Sequence, residues 1–190
     1  MIQNSTSKWK IQIKYSKNKI PKLEVKPWGI LVILPEGIDK NEAYRIIEKH
    51  RPWIEEKHAE LLEALEHSKN IKLVEKSKSK FRNLVEKLVE QAAKEVLGMN
   101  PCKIVVRKMK TRWASCSLKG IITINALARY LPNRYRLISY IIYHEICHII
   151  EPKHNKVFWT CVQEHFPNYK RLEEELLLYE IKLGLYLFHE

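Results

Sequence analysis

The order in which hydrophobic periodicities change along the chain predicts an α+β fold. Three observations carry this. Period-two runs open the sequence, long stretches at helical spacing follow, and a second pair of strand-like runs precedes a last set of helical stretches. No internal repeat is present. The expected architecture is an N-terminal β-hairpin and helix unit over residues 1–75. A second part, residues 76–190, combines a small antiparallel sheet with a buried helix bearing H-E-x-x-H, and the two parts could form one compact unit.

The first strand is read from Trp9 to Tyr15, where Ile11 and Ile13 alternate with polar residues. Leu23 to Lys26 and Ile30 to Leu34 follow, joined through Pro27-Trp28-Gly29, so the three runs read as antiparallel strands with a hairpin. Pro35 and Gly37 end this region. Asp39 with Glu42 three positions later has the form of a capping box, which opens a single helix over 40–66. Lys69 to Lys80 is rich in Lys and Ser and reads as a connection. Phe81, Leu84, Val85, Leu88, Val89, Ala92 and Val96 then form an apolar stripe that Gly98 stops.

After Pro101, residues 103–107 and 120–125 read as strands around a polar turn near Ser117 to Gly120. Pro132 suits the first turn of the next helix. Leu137, Ile138, Ile141, Ile142, Ile146, Ile149 and Ile150 make residues 137–150 apolar nearly all round, which predicts a buried helix. Val157 to Phe166 and residues 170–183 complete the helices.

Composition narrows the class. With 190 residues, 45% of them hydrophobic, the chain can bury a core. No charge-free apolar run reaches the ~18 residues of a membrane span, and the first ten residues lack the apolar stretch of a secretory signal. The four cysteines form no C-x-x-C pair, which argues against a zinc ribbon and for a reduced, cytoplasmic setting. The net charge is +12, and no acidic residue lies between Glu95 and Glu145. Segment 103–136 concentrates Lys103, Arg107, Lys108, Lys110, Arg112, Lys119, Arg129, Arg134 and Arg136. It is either a solvated basic face or a positive rim that attracts acidic peptides or nucleic acid.

The chemistry concentrates in His144-Glu145-Ile146-Cys147-His148 and in His154, six residues on. On a helix with ~3.6 residues per turn, His144 and His148 project from one face and one cation can bridge them. A catalytic zinc keeps one of about four positions for water, so a third protein ligand is needed. Pro152 cannot continue a helix, so the chain turns after about Ile150 and can bring His154 back beneath the pair. Glu151 and Glu164 are alternatives for that position. Glu145 stands beside the metal rather than on it, placed to take a proton from a water that zinc activates. Cys147 is offset from the histidine face by one position and reads as a packing residue.

Several segments in order then carry a resemblance. Thr111-Arg112-Trp113-Ala114-Ser115-Cys116-Ser117, the strand ending in Asn125, Pro132, the H-E-I-C-H pentapeptide, His154 and Phe158-Trp159 together resemble the YgjP-like zincin metallopeptidase family. Arg51-Pro52-Trp53-Ile54 and the N-terminal hairpin look like that family's N-terminal portion. Two departures are small: Ala114 stands where the family usually has Gly, and Ile146 where it has Leu. The resemblance implies a zincin-like fold, zinc on His144, His148 and His154, Glu145 as general base, and a peptide or unfolded-protein substrate. In wider outline it is similar to SprT-like and WLM proteases, which act on DNA-bound proteins. Zincin-type sites commonly hold substrate as an added strand at a sheet edge. Arg112, Trp113 and Ser115 are the candidate substrate contacts; a surface role for Arg112 and a core role for Trp113 are the plainer readings.

Overall fold

The structure, a computed structural model, describes residues 9–99, 103–117, 119–132 and 135–185. Cys102 and Arg134, counted above among the cysteines and the basic segment, lie outside the described residues. The chain divides into two compact units, Met1–His67 and Ser68–Glu190. The connecting residues expected at 69–80 belong to the second: Glu75 pairs with Arg129 at 2.9 Å and Lys76 Nζ donates to the Leu131 carbonyl.

In the first unit, β1 (Lys10–Ser16), β2 (Lys22–Lys26) and β3 (Gly29–Pro35) form a sheet in the order β1-β3-β2. The hairpin of β2 and β3 is antiparallel, as its turn predicts, but β1 pairs with β3 in parallel. The reason lies in β3, whose Ile30, Leu31, Val32 and Leu34 are buried; the most apolar strand takes the centre and leaves the Lys-rich strands as edges. Gly29 is obligatory there. Its φ is +144°, and a Cβ would lie 2.0 Å from the Lys10 carbonyl oxygen on the neighbouring strand.

The single helix expected over 40–66 is two helices, α1 (Asn41–Lys49) and α2 (Arg51–Lys69). Pro52 has no N–H to give the Glu48 carbonyl and its ring would strike it, so α1 ends at His50 and Pro52 is accommodated in the first turn of α2. The expected capping box is not formed: the N-cap is Lys40, whose side chain makes no cap bond, Asp39 one position earlier accepts the Asn41 N–H at 2.6 Å, and Glu42 turns to Arg45. Trp9, Val25, Ile30, Val32, Leu34, Ala43, Ile47 and Ile54 make this unit's core.

In the second unit, α3 (Lys78–Leu97) starts on the Ser77 hydroxyl, which accepts the Lys80 N–H, and stops at Gly98 in the left-handed region. Three strands follow, β4 (Lys103–Arg107), β5 (Ala114–Cys116) and β6 (Ile121–Asn125), in the order β4-β6-β5. This sheet is mixed where an antiparallel one was expected: β4 runs parallel to β6, and only β5 is antiparallel to it. Residues 108–113 between β4 and β5 are long enough to cross over, so β5 enters on the far side of β6 as an edge.

A 3-10 turn, Ala126–Tyr130, leads towards α4 (Arg136–Ile150). This helix begins four positions beyond Pro132, which therefore lies outside it. It packs against α3, the β5–β6 side of the sheet, α5 (Lys156–His165) and α6 (Tyr169–Lys182). Leu137, Ile138, Ile141, Ile142 and Ile146 face the core as the apolar pattern predicts, but Ile149 and Ile150 are exposed, because the last turn of α4 runs past the elements that cover the rest of it.

Candidate active site

Burial on nearly every side of α4 is what makes its polar residues informative. His144, Glu145 and His148 are half-buried among Tyr140, Ile141 and Cys147, where unpaired polar groups are costly. The helix ends where Pro152 dictates, with Glu151 extended at φ −137°, ψ 106° and its N–H still bonded to the Cys147 carbonyl. The turn returns His154 to the helix: its Nε2 lies 3.1 Å from His144 Nε2. One potential ligand nitrogen from each of His144, His148 and His154 falls within 4.8 Å of the others.

Aromatic packing holds these rings. Asn155 Oδ1 accepts the Val157 and Phe158 amides and starts α5, which directs Phe158 beneath all three imidazoles. Phe158 is fully buried and stacks on His148 at 4.3 Å and 24°, edge-on to His144 and His154. Trp159 stacks on His154 at 5.6 Å and on Tyr169 at 4.6 Å. His148 Nδ1 lies 3.2 Å from the Glu151 carbonyl oxygen, which makes Nδ1 the protonated nitrogen and leaves Nε2 free to ligate. Sequence reasoning used Phe158-Trp159 only as part of a resemblance. The spacing signal was available, since Phe158 follows His154 by four and Trp159 by five.

One cleft of about 570 Å³ gathers the three histidines, Glu145, Arg112, Ser115, Cys116 and Ile149. Edge strand β5 forms its wall. Trp113 O accepts the Asn125 N–H and Ser117 N donates to Ile121 O, and with Ser115 opposite Thr123 these alternate residues face β6. The main-chain groups of Ala114 and Cys116 therefore point away from β6. The Cys116 amide reaches Glu145 across this gap. Burial pushes the Glu145 carboxyl up to about 7, opposed by the Cys116 amide and the Arg112 charge. Burial lowers His144 to about 3, with the neighbouring imidazoles adding to the shift, and lowers His148 for the same first reason.

Of the candidate substrate contacts, Arg112 and Ser115 line the cleft and Trp113 does not. Trp113 is 6% exposed and packs in the main core. Among the alternative ligands, the Glu151 carboxylate accepts the Lys153 amide and Glu164 lines a different cleft.

Comparison with known proteins bears on most of the second unit. The family profile described as YgjP-like, metallopeptidase domain, matches residues 63–178. The chain belongs to this family. It is a metallopeptidase of α+β fold, a hydrolase acting on peptide or protein substrates. No curated protein matches it. Several solved structures are similar to part of it, two of them metallopeptidase zymogens. The metallopeptidase zymogen of Pyrococcus abyssi abylysin is 30% identical over 49% of this chain and 91% of its own, with a TM-score of 0.43. The zymogen of Methanocaldococcus jannaschii jannalysin is 24% identical over 48% and 90%, with a TM-score of 0.42. No described helix of the peptidase is long and apolar enough to cross a membrane.

A YgjP-like metallopeptidase requires a metal ion, and the donor set suits one. Ligands ~2.0–2.1 Å from a tetrahedral ion lie ~3.3–3.4 Å apart, close to the 3.1 Å between His144 and His154. Without a cation one of those facing nitrogens must carry a proton towards the other. Imidazoles kept neutral by burial are the form that binds metal.

Proposed function

We propose that the protein is a zinc-dependent peptidase in which His144, His148 and His154 hold the metal and Glu145 is the general base. The convergence of three imidazole nitrogens beside Glu145, in the cleft walled by an edge strand, carries this reading. Zinc, when bound there, would polarise the scissile carbonyl and lower the pKa of water to ~7. Glu145 takes the proton from the attacking water and delivers it to the amine nitrogen as the peptide bond breaks. Burial raises this carboxyl in the metal-free cleft, which favours its carrying a proton, and a bound cation would oppose that shift and favour the basic form that takes the proton from water.

The substrate lies along β5 as an added strand, bonded to the outward-pointing main-chain groups of Ala114 and the Cys116 carbonyl, the Cys116 amide being held by Glu145. Arg112 and Ser115 contact it from the cleft wall. Such binding reads backbone more than side chains, so unfolded segments of many sequences are accepted. The test compares wild type with Glu145→Gln by metal analysis and by hydrolysis of unfolded protein. Zinc content is retained and hydrolysis lost; a fully active variant removes the assignment.

A second reading, that substrates arrive bound to nucleic acid, is favoured by the exposure of Lys103, Arg107, Lys108, Lys110, Arg112 and Lys119 in a segment without carboxylates. DNA affinity that falls steeply with salt supports it, and no binding at low salt refutes it.

A further inference from the structure

Two thiols outside the cleft bracket two of its three histidines in sequence. Cys147 lies on the buried face of α4, Cys161 on α5, and His148, His154 and Phe158 fall between them. Their sulfurs are 2.6 Å apart. That is far inside the separation of two unrelated side chains and close to the ~2.05 Å of a disulfide bond. Cys147 is fully buried, whereas Cys161 is half-buried and lines a second cleft of about 440 Å³ with Glu95, Lys156 and Thr160. A small oxidant can thus reach one sulfur while the other waits directly behind it. Cys116, by contrast, lines the first cleft beside Glu145.

We propose that Cys147 and Cys161 are an oxidative modification site, an intramolecular disulfide that closes the loop carrying His148 and His154 when the protein meets a peroxide. The Cys161 sulfur attacks the peroxide O–O bond, which breaks to release one water and leaves a sulfenic acid. The Cys147 sulfur displaces that hydroxyl, a second water leaves, and the S–S bond forms. Two thiols are oxidised by two electrons and one peroxide is reduced to two waters. In a reducing setting the pair stays as thiols. The cross-link restricts open states in which the 147–161 loop separates α4 from α5, so it stabilises the arrangement the ligands already have.

The experiment treats the purified full-length protein with dithiothreitol or with hydrogen peroxide at one equivalent, then compares intact mass, unreduced peptide maps and thermal unfolding. Expected are a loss of about 2 Da, a peptide linking Cys147 to Cys161, and a melting temperature raised by several degrees, all reversed by dithiothreitol. Cys161→Ser abolishes the mass loss while its reduced form melts near the reduced wild type. Cys147→Ala, at the buried site, provides a second check on the pairing. Gains of about 16 or 32 Da without cross-link, linkage to another cysteine or another chain, or an oxidised form that melts no higher than the reduced one would each overturn the proposal.

Discussion

Asn125 Nδ2 donates to the Arg112 carbonyl oxygen at 2.8 Å, joining the end of β6 to the residue that precedes the core anchor of β5. The same carboxamide donates to Met109 O at 3.0 Å and accepts from Met109 N at 3.2 Å and Leu127 N at 3.1 Å. Asn125 is fully buried, and its four bonds shape the loop that brings Arg112 to the cleft. Asn125→Asp keeps the acceptor and loses both donations, placing a charge against two carbonyls. It should cost about 2–4 kcal/mol of stability and raise KM more than it lowers kcat. Denaturant unfolding and steady-state hydrolysis check both.

Phe158 supports all three imidazoles from one side. Phe158→Ala opens a cavity beneath them and should cost about 3–5 kcal/mol, while Phe158→Leu costs less. Both variants should bind zinc more weakly, by about 10-fold or more, because the ring that orients His148 is gone. Competition with a chromogenic chelator gives the affinity separately from the melting curve.

The pH dependence follows from two shifts of opposite sense. In the metal-free protein, Glu145 at about 7 binds its proton more tightly than in the unfolded chain, so its contribution is present at low pH and lost as pH rises from about 4.5 to 7. His144, lowered to about 3, works the other way and adds stability as pH rises from about 3 to 6.5. Glu145→Gln should therefore exceed wild type in stability at pH 8, by on the order of 2–3 kcal/mol, with a smaller difference at pH 5. Urea unfolding of chelated protein at the two pH values measures this. For hydrolysis the acid limb of kcat/KM should fall at or below about 7, since a bound cation favours the carboxylate.

Chelation should abolish hydrolysis and zinc should restore it. Trp159 offers a direct report, because its indole stacks on His154. Zinc addition should change tryptophan emission in the wild type, and the change should be lost in Trp159→Phe and in His154→Ala. An unaltered response in His154→Ala would point to a different third ligand.

Much of this was legible in the chain alone, for reasons specific to particular residues. The apolar run through Ile150, the stop at Pro152 and the four-residue spacing of His144 and His148 are local signals, and each acts through backbone geometry within a few positions. The same holds for Ser77 and Gly98 at the ends of α3. Where the reading went wrong, a distant partner decided. Whether β1 pairs in parallel depends on β3 taking the centre, and whether the second sheet is mixed depends on β5 entering beyond β6; Trp113, whose core role was the plainer of two readings, is decided by the core cluster around it. Pro52 is a local signal, and it divides into α1 and α2 a stretch whose helical spacing continues on both sides of it.

The sequence by itself determined the α+β class, the helix that carries the motif, and the candidacy of His144, Glu145, His148 and His154, because residue type and short-range spacing specify these. Only the tertiary structure decided what surrounds them. The Phe158 and Trp159 stacks, the Asn125 bonds that aim the Arg112 loop, the edge position of β5, and the contact of Cys147 with Cys161 all join residues from separate elements. Apart from the Trp159–His154 stack, which spans five residues, such contacts arise from packing separate elements against one another, and short-range spacing does not specify them.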